Sequence, residues 1–429
     1  MKLTSWLQYL ATLPTKRLSS NSLESLRMVA TELKLIRANS RIILVAGTNG
    51  KGSVVVFLES ILIAHGFRVG SYLSPHLQIY QERIRLQGKQ VDDDQLVQAL
   101  ATVRQAAQSA QLSYFEFTTL AAMLVFQAQP LDYLVLEVGI GGRFDAVNIF
   151  SQVVLSIITT VSMDHPQILG ANLELIGYEK AGIIRASGTV IVGPNMPKSV
   201  YSVASELQAE IYAWGSDFGH VIHPQLGQFD WYSRDYNLKN LPLSSLMPTN
   251  VALAIMAAYL LLGELGLRRQ ELEWCLKQVK LPGRIQELNY GPRKLIIDVA
   301  HNQESASFLA SKLAVLRSSG KIWAIFSVLS DKDYRLIISE MLGLIDGWYL
   351  VQLETSRGAA MSKVATELTE LDSRAKFEVY SNVELAWSQV LQASDYADTI
   401  VVFGSFYIAA AILKLVTNDI QEKTNGINK

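Results

Sequence analysis

Apolar residues along this chain follow two alternating rhythms. Short runs at 42–46, 133–138 and 153–159 are rich in β-branched residues and too short for helices, so they predict buried strands. Between them the apolar positions recur at helical spacing, as in Val54, Val55, Leu58, Ile61 and Leu62, where Gly66 stands at the place of a C-terminal cap. Leu3, Trp6, Leu7 and Leu10, then Leu23, Leu26, Val29 and Leu33, mark two helices ahead of the first strand. Further strands are expected at 68–73 and 189–192. Asp92 predicts the cap of a helix ending near Ser109, and the segment from Ser113 begins another that reaches about Gln129. From 215 to 246 the pattern weakens, and Trp231, Tyr232 and Tyr236 suggest short antiparallel strands. A long helix after Asn250 is apolar almost all round and is expected to be buried. Strands alternating with helices predict an α/β fold with a mainly parallel sheet covered on both faces, plus a small antiparallel sheet.

A second strand–helix series begins after a break at 280–284, with strands expected at 294–298, 321–328, 348–353, 377–380 and 399–403. Tyr290, Gly291 and Pro292 predict a linker. The expected division is therefore a first domain over 1–286, a linker over 287–293 and a second α/β domain over 294–429, the second of ordinary domain size.

Composition narrows the classes. Half of the 429 residues are hydrophobic and 18% are charged, as in a folded enzyme, and the formal net charge is −1. No basic surface advertises nucleic acid or an anionic membrane. The single cysteine, Cys275, rules out an internal disulfide and a cysteine-based zinc site. With no secretory signal and no apolar run long enough for a bilayer, a cytoplasmic monomer acting on small molecules is expected.

The chemistry concentrates in the turn after the first strand, Gly47-Thr48-Asn49-Gly50-Lys51-Gly52-Ser53. A strand, a glycine-rich turn and a helix point backbone N–H groups and a helix N-terminus at one spot, which attracts phosphate oxygens. Lys51 supplies a point charge for the outer phosphates, and the Ser53 hydroxyl suits Mg²⁺. The spacing departs from a regular Walker A motif, because Gly52 separates Lys51 from Ser53 and Val45 and Ala46 stand where an earlier glycine belongs. Other polar groups sit where strands end: Ser74, Glu137, His165, and in the second series Asp298. In parallel sheets ligands bind beyond the carboxyl ends of the strands. Each group has a plainer alternative. Glu137 could form a structural salt bridge, His165 could be a satisfied loop histidine, Ser74 could cap a turn, and Asp298 could cap the next helix.

Eight motifs, in order and spanning nearly the whole chain, resemble the folate-ligase family of the Mur ligase superfamily, which forms amide bonds at the expense of ATP. They are GTNGKGS (47–53), SPHL (74–77), EVGIGGRFDAVN (137–148), DH (164–165), EKAGI (179–183), PGR (282–284), DVAHN (298–302) and FGSF (403–406). The resemblance implies a P-loop Mur-type first domain and a Rossmann-like second one. It implies ATP held by Asn49, Gly50, Lys51, Gly52 and Ser53, with Asn250, Arg284 and Asp298 on the nucleotide. Two Mg²⁺ ions are implied, bound by Ser53, Ser74, Glu137 and His165. Lys180 matches a lysine that the family carboxylates to a carbamate, although Lys180 could also be a surface lysine paired with Glu179. Lys51, Lys180, Asp298 and His301 are the implied catalytic residues, the last two acting across a domain cleft. The implied pocket for a pterin-bearing acceptor, dihydropteroate or a folate, comprises Ser74, Pro75, His76, Tyr114, Phe115, Glu116, Phe117, Arg143, Phe144 and Asp145, and L-glutamate is the implied co-substrate. Gln303, in place of a usual proline, and Pro166 after His165 depart from the family's commoner form. A peptidoglycan-precursor ligase would need a nucleotide-sugar domain before the loop, and only 46 residues precede Gly47. A nucleotide-binding switch would not need Glu137, His165 and Lys180.

Overall fold

The computed structural model describes residues 2–14, 20–108, 110–317 and 320–427. The chain divides into two compact units, Met1–Val279 and Lys280–Lys429. The first is built on eight strands: β1 (Arg41–Ala46), β2 (Val69–Tyr72), β3 (Ile84–Leu86), β4 (Lys89–Gln90), β5 (Tyr133–Glu137), β6 (Val153–Ile158), β7 (Thr189–Val192) and β8 (Glu210–Ala213). Their order across the sheet is β4-β3-β2-β5-β1-β6-β7-β8. The strands from β2 to β8 in that order are parallel, which brings the ends of β2, β5, β1 and β6 to one rim.

The central strand β1 buries five of its six residues, as its apolar run requires, and pairs with β5 and β6. The helices at Leu3–Ala11, Asp93–Ala107 and Tyr114–Gln127 supply much of the core, and Asp92 caps the second of them through the Gln95 amide. Its expected end near Ser109 falls on a residue outside those described. The antiparallel pair β3–β4 was not expected from the pattern. Its signal was the two-residue turn Gln87-Gly88, both with positive φ (52° and 74°), the backbone that hairpin turns of this length favour.

The weak region holds a three-stranded antiparallel sheet, β9 (Phe218–His223), β10 (Gln228–Ser233) and β11 (Asn237–Pro242), as expected. Buried Trp231 ties it to the apolar helix Pro248–Leu262 by donating from Nε1 to the Ala252 carbonyl at 3.1 Å.

The second unit carries six strands, β12 (Gln286–Tyr290), β13 (Arg293–Ile297), β14 (Ile322–Phe326), β15 (Gly347–Val351), β16 (Phe377–Tyr380) and β17 (Thr399–Phe403). They lie in the order β12-β13-β17-β14-β15-β16, all parallel but β12. Here the expected linker over 287–293 is corrected. Those residues form the β12–β13 hairpin of the second unit, and Gly291 (φ +59°) turns it. The misreading has a local cause: glycine and proline mark a tight hairpin as readily as a linker. No helix among the described residues is long and apolar enough to cross a membrane.

Candidate active site

β1 delivers the chain into the glycine turn, which is laced to the end of β6. The Thr48 amide donates to the Thr160 carbonyl at 2.8 Å and the Asn49 amide to Thr160 Oγ1 at 3.1 Å, while Thr159 Oγ1 donates to the Asn49 carbonyl at 2.5 Å. Gly50, at φ +82°, turns the chain into the helix Lys51–Ala64, whose N-terminus has no side-chain cap. Uncapped amides and the helix dipole there favour an anion. Lys51 folds back over the turn, its Nζ donating to the carbonyls of Gly47 (3.1 Å) and Thr48 (3.2 Å). Gly52 and the buried Ser53 follow in the first helical turn.

The sequence did not reveal how Asn250 would reach this turn. It is buried on the first turn of the helix Pro248–Leu262, and a Cβ on Gly50 would collide with its side-chain amide. Gly50→Ala therefore adds a clash to the left-handed backbone, itself worth about 1–2 kcal/mol. With the turn holding ATP as the resemblance implies, the KM for ATP is expected to rise on the order of 10-fold or more, and a steady-state ATP titration checks it.

Across the rim, Glu137 closes β5 in register with Val45 of β1, and its Oε2 accepts from the Ser74 amide at 2.8 Å. Glu137 is thus buried yet engaged by the SPHL loop. His165 begins the short helix Pro166–Leu169, its Nε2 3.7 Å from Asp164 Oδ2. Pro166 fits there without strain, because the first helical position needs no N–H donor. Among the described residues no three His, Cys, Asp or Glu side chains form a metal cluster by themselves. The ligands that the resemblance implies are one carboxylate, one imidazole and the hydroxyls of Ser53 and Ser74, and the oxygen donors among them are hard ligands of the kind that suit a cation shared with phosphate oxygens.

Lys180 lies in the last turn of the helix Leu173–Ala181 and is only 2% exposed, which removes the surface alternative. Burial, reinforced by the Lys51 charge and opposed by Asp164, pushes its ammonium down to about 7. The glycine-rich loop after β5 packs directly on this helix end. A Cβ on Gly142 would come within 2.8 Å of the Lys180 carbonyl, and one on Gly182 would run into the Arg143 backbone. The Arg143 amide donates to the Glu179 carbonyl at 2.9 Å, and its guanidinium covers the Tyr178 ring at 4.1 Å. Two motifs more than thirty residues apart are thereby locked together around one lysine.

The expected acceptor segment divides. Phe115 lies against Gly139 and 5.8 Å from the Tyr72 ring, facing the loop after β5. Tyr114 stacks beneath Arg83. Phe117 instead turns into the core against Trp6 and Tyr9, and Glu116 reaches back to the Ser113 amide at 2.6 Å in a capping box. Phe144 is partly buried against the same core. Buried Asp145 accepts from the amides of Gly139, Ile140 and Val147, each at 3.1 Å, and so shapes the loop. Ser74 and His76 are half-buried and Pro75 is exposed, and His76 Nδ1 accepts from Arg83 Nε at 2.8 Å. Burial and the Arg83 charge push His76 down to about 4, so its ring is neutral.

In the second unit three motifs converge. Asp298 is buried beyond β13 and accepts from the amides of Ile285 and Ala300, both at 2.7 Å, while burial raises its carboxyl against the opposing pull of Arg284. It does not cap the following helix. Asn302 does, and Gln303 takes the first helical position. Arg284 lies 5.2 Å over the Phe406 ring, and His301 packs on the same ring at 6.1 Å.

A glycine turn before an uncapped helix, a buried lysine and a carboxylate at the end of β5 are the features of a nucleotide-dependent group-transfer enzyme, and residues 283–406 match the family described as Mur ligase, glutamate ligase domain. The chain is similar over 417 residues, at 35% identity, to the dihydrofolate synthase/folylpolyglutamate synthase of Escherichia coli, covering 96% of this chain and 95% of that protein. Its structure resembles E. coli FolC in complex with DHPP and ADP (TM-score 0.90, 33% identity, 98% of each chain). It also resembles a bifunctional folylpolyglutamate synthase/dihydrofolate synthase with Mn, AMPPNP and L-glutamate bound (TM-score 0.87, 37% identity, 97% of this chain and 98% of that one). The chain belongs to the dihydrofolate synthase/folylpolyglutamate synthase family, ATP-dependent ligases that form amide bonds.

Proposed function

We propose that this chain joins L-glutamate to the carboxylate of 7,8-dihydropteroate and to the γ-carboxylate of tetrahydrofolates. A carboxylate is a poor electrophile, so ATP first transfers its γ-phosphoryl group to it, releasing ADP. The glutamate α-amine then attacks the acyl phosphate carbonyl and expels phosphate. Catalysis of this kind is mainly positional and electrostatic. The turn Asn49–Ser53 and Asn250 hold the nucleotide, Lys51 follows the charge on the transferred group, and Phe115 with the loop at Arg143–Asp145 holds the flat heterocycle. In the second unit Arg284 and Asp298 are assigned to the nucleotide and His301 to catalysis.

Ser53, Ser74, Glu137 and His165 would hold Mg²⁺, two ions in this reading, which would neutralise the phosphates when bound. Lys180 would carry a carbamate, formed when its neutral amine adds CO₂. A cytoplasmic monomer completes the reading, in line with the near-neutral charge and single cysteine. The observation that carries it is Lys180, buried beside Lys51 and poised near neutrality in a chain of this family.

The direct test is phosphate release with ATP, L-glutamate and either dihydropteroate or tetrahydrofolate. Turnover that depends on glutamate with both acceptors is expected. Turnover with tetrahydrofolate alone would reduce the activity to polyglutamylation, and none with either would sink the reading.

A further inference from the structure

One buried cation at the rim has no part in the mechanism above. Arg83 ends the short helix Tyr80–Arg83 and is only 6% exposed. Its backbone carbonyl accepts from the Leu73 amide, which sets it beside the start of the SPHL loop. Its Nε donates to His76 Nδ1 at 2.8 Å, and its guanidinium lies over Tyr80 at 5.7 Å and Tyr114 at 5.4 Å. Among the described residues no carboxylate pairs with it. The neighbouring Glu82 is spent on the loop backbone, accepting from the amides of Leu77 (2.6 Å), Gln78 (2.9 Å) and Ile79 (2.9 Å). The two terminal guanidinium nitrogens accordingly have donors to offer.

A charge removed from water is costly unless it is paired. Aromatic faces and one imidazole offset part of that cost but supply no counter-charge. The usual partner of a planar guanidinium is a carboxylate held by parallel N–H donors. Tyr114 and His76, which flank Arg83, both belong to the acceptor pocket that the family resemblance implies. The pterin ring is neutral, so the acceptor carries its negative charge at its carboxylate end. We infer that Arg83 is a binding residue for a carboxylate of the acceptor. This rests on the proposed function and adds a specificity-determining contact to it: the pocket selects a pterin that bears a carboxylate over one that does not.

The test compares two ligands on wild-type protein and on R83Q. One is dihydropteroate, and the other is a 6-hydroxymethyl pterin, which lacks the carboxylate. R83Q is expected to weaken dihydropteroate binding about 10- to 100-fold, the range for a lost charge-assisted hydrogen bond. Binding of the carboxylate-free pterin and the KM values for ATP and L-glutamate are expected to stay within about 2-fold. R83K, which keeps the charge but not the fork, is expected to fall between, and gives the same contrast if R83Q folds poorly. Equal weakening of both pterins would make Arg83 a packing residue and overturn the inference. Failure of the wild-type protein to bind either pterin would overturn the proposed function, and this inference with it.

Discussion

Lys180→Met is expected to lower kcat by at least 100- to 1,000-fold, the range for removing a preorganised electrostatic group, while making the unliganded fold more stable at neutral pH. The two effects share a cause. Lys180 is buried, and its ammonium falls from an ordinary 10.5 to about 7. The unfolded chain therefore holds one more proton than the folded chain between about pH 7 and 10.5. Linkage then requires stability to rise with pH across that window, with the full penalty present below pH 7. The gap between the two values corresponds to an order of 5 kcal/mol as an upper figure. Methionine keeps the volume and removes the charge. In CO₂-free, metal-free buffer, chemical denaturation should show K180M more stable than wild type at pH 6–7, with the difference closing toward pH 10. Activity of the wild-type protein should also fall when CO₂ and bicarbonate are stripped and return when they are restored. A fully active K180M would dispose of the carbamate, and an unchanged stability difference across pH would show that Lys180 is not held near neutrality.

Lys51→Met carries the second large effect. The ammonium already sits over the carbonyls of Gly47 and Thr48, so it does not need to be recruited when phosphate arrives. In the proposed mechanism its removal takes a fixed positive charge from the place where negative charge builds, and kcat is expected to fall by about 100- to 1,000-fold. Lys51 is also one of the causes of the low Lys180 value. K51M should therefore raise the Lys180 pKa and shift the pH dependence of stability upward, an effect that a residue acting on phosphate alone would not produce. Rate measurements with ATP, glutamate and dihydropteroate, paired with denaturation at several pH values, separate the two consequences.

The alternation of apolar runs with helical spacing was enough to read the parallel cores of both units. The central strands β1, β5, β15 and β17 are buried on both faces and their sequences say so, whereas no residue of the edge strands β8 and β16 is fully buried and β8 was not expected. The glycine turn at 47–53 was equally legible, because strand, glycines, lysine and helix are contiguous. The β3–β4 hairpin and the true nature of 287–293 were not, since both hinge on a turn of two or three residues whose meaning depends on what pairs on either side. The acceptor segment shows the same limit. One run of four residues sends Phe115 to the rim, Phe117 into the core and Glu116 to its own helix end, a division fixed by helical direction and by where the neighbouring helix Leu3–Ala11 packs.

By itself, then, the sequence determined the fold class, the glycine turn between strand and helix, and the family, because those depend on periodicity and on local motifs. Tertiary structure alone decided that Asn250 closes on Gly50, that the glycines of two distant motifs allow Lys180 to be buried, and that Arg83 stands without a carboxylate among the described residues. Burial and charge pairing depend on what surrounds a group in three dimensions, and that information is not carried by the residues next to it in the chain.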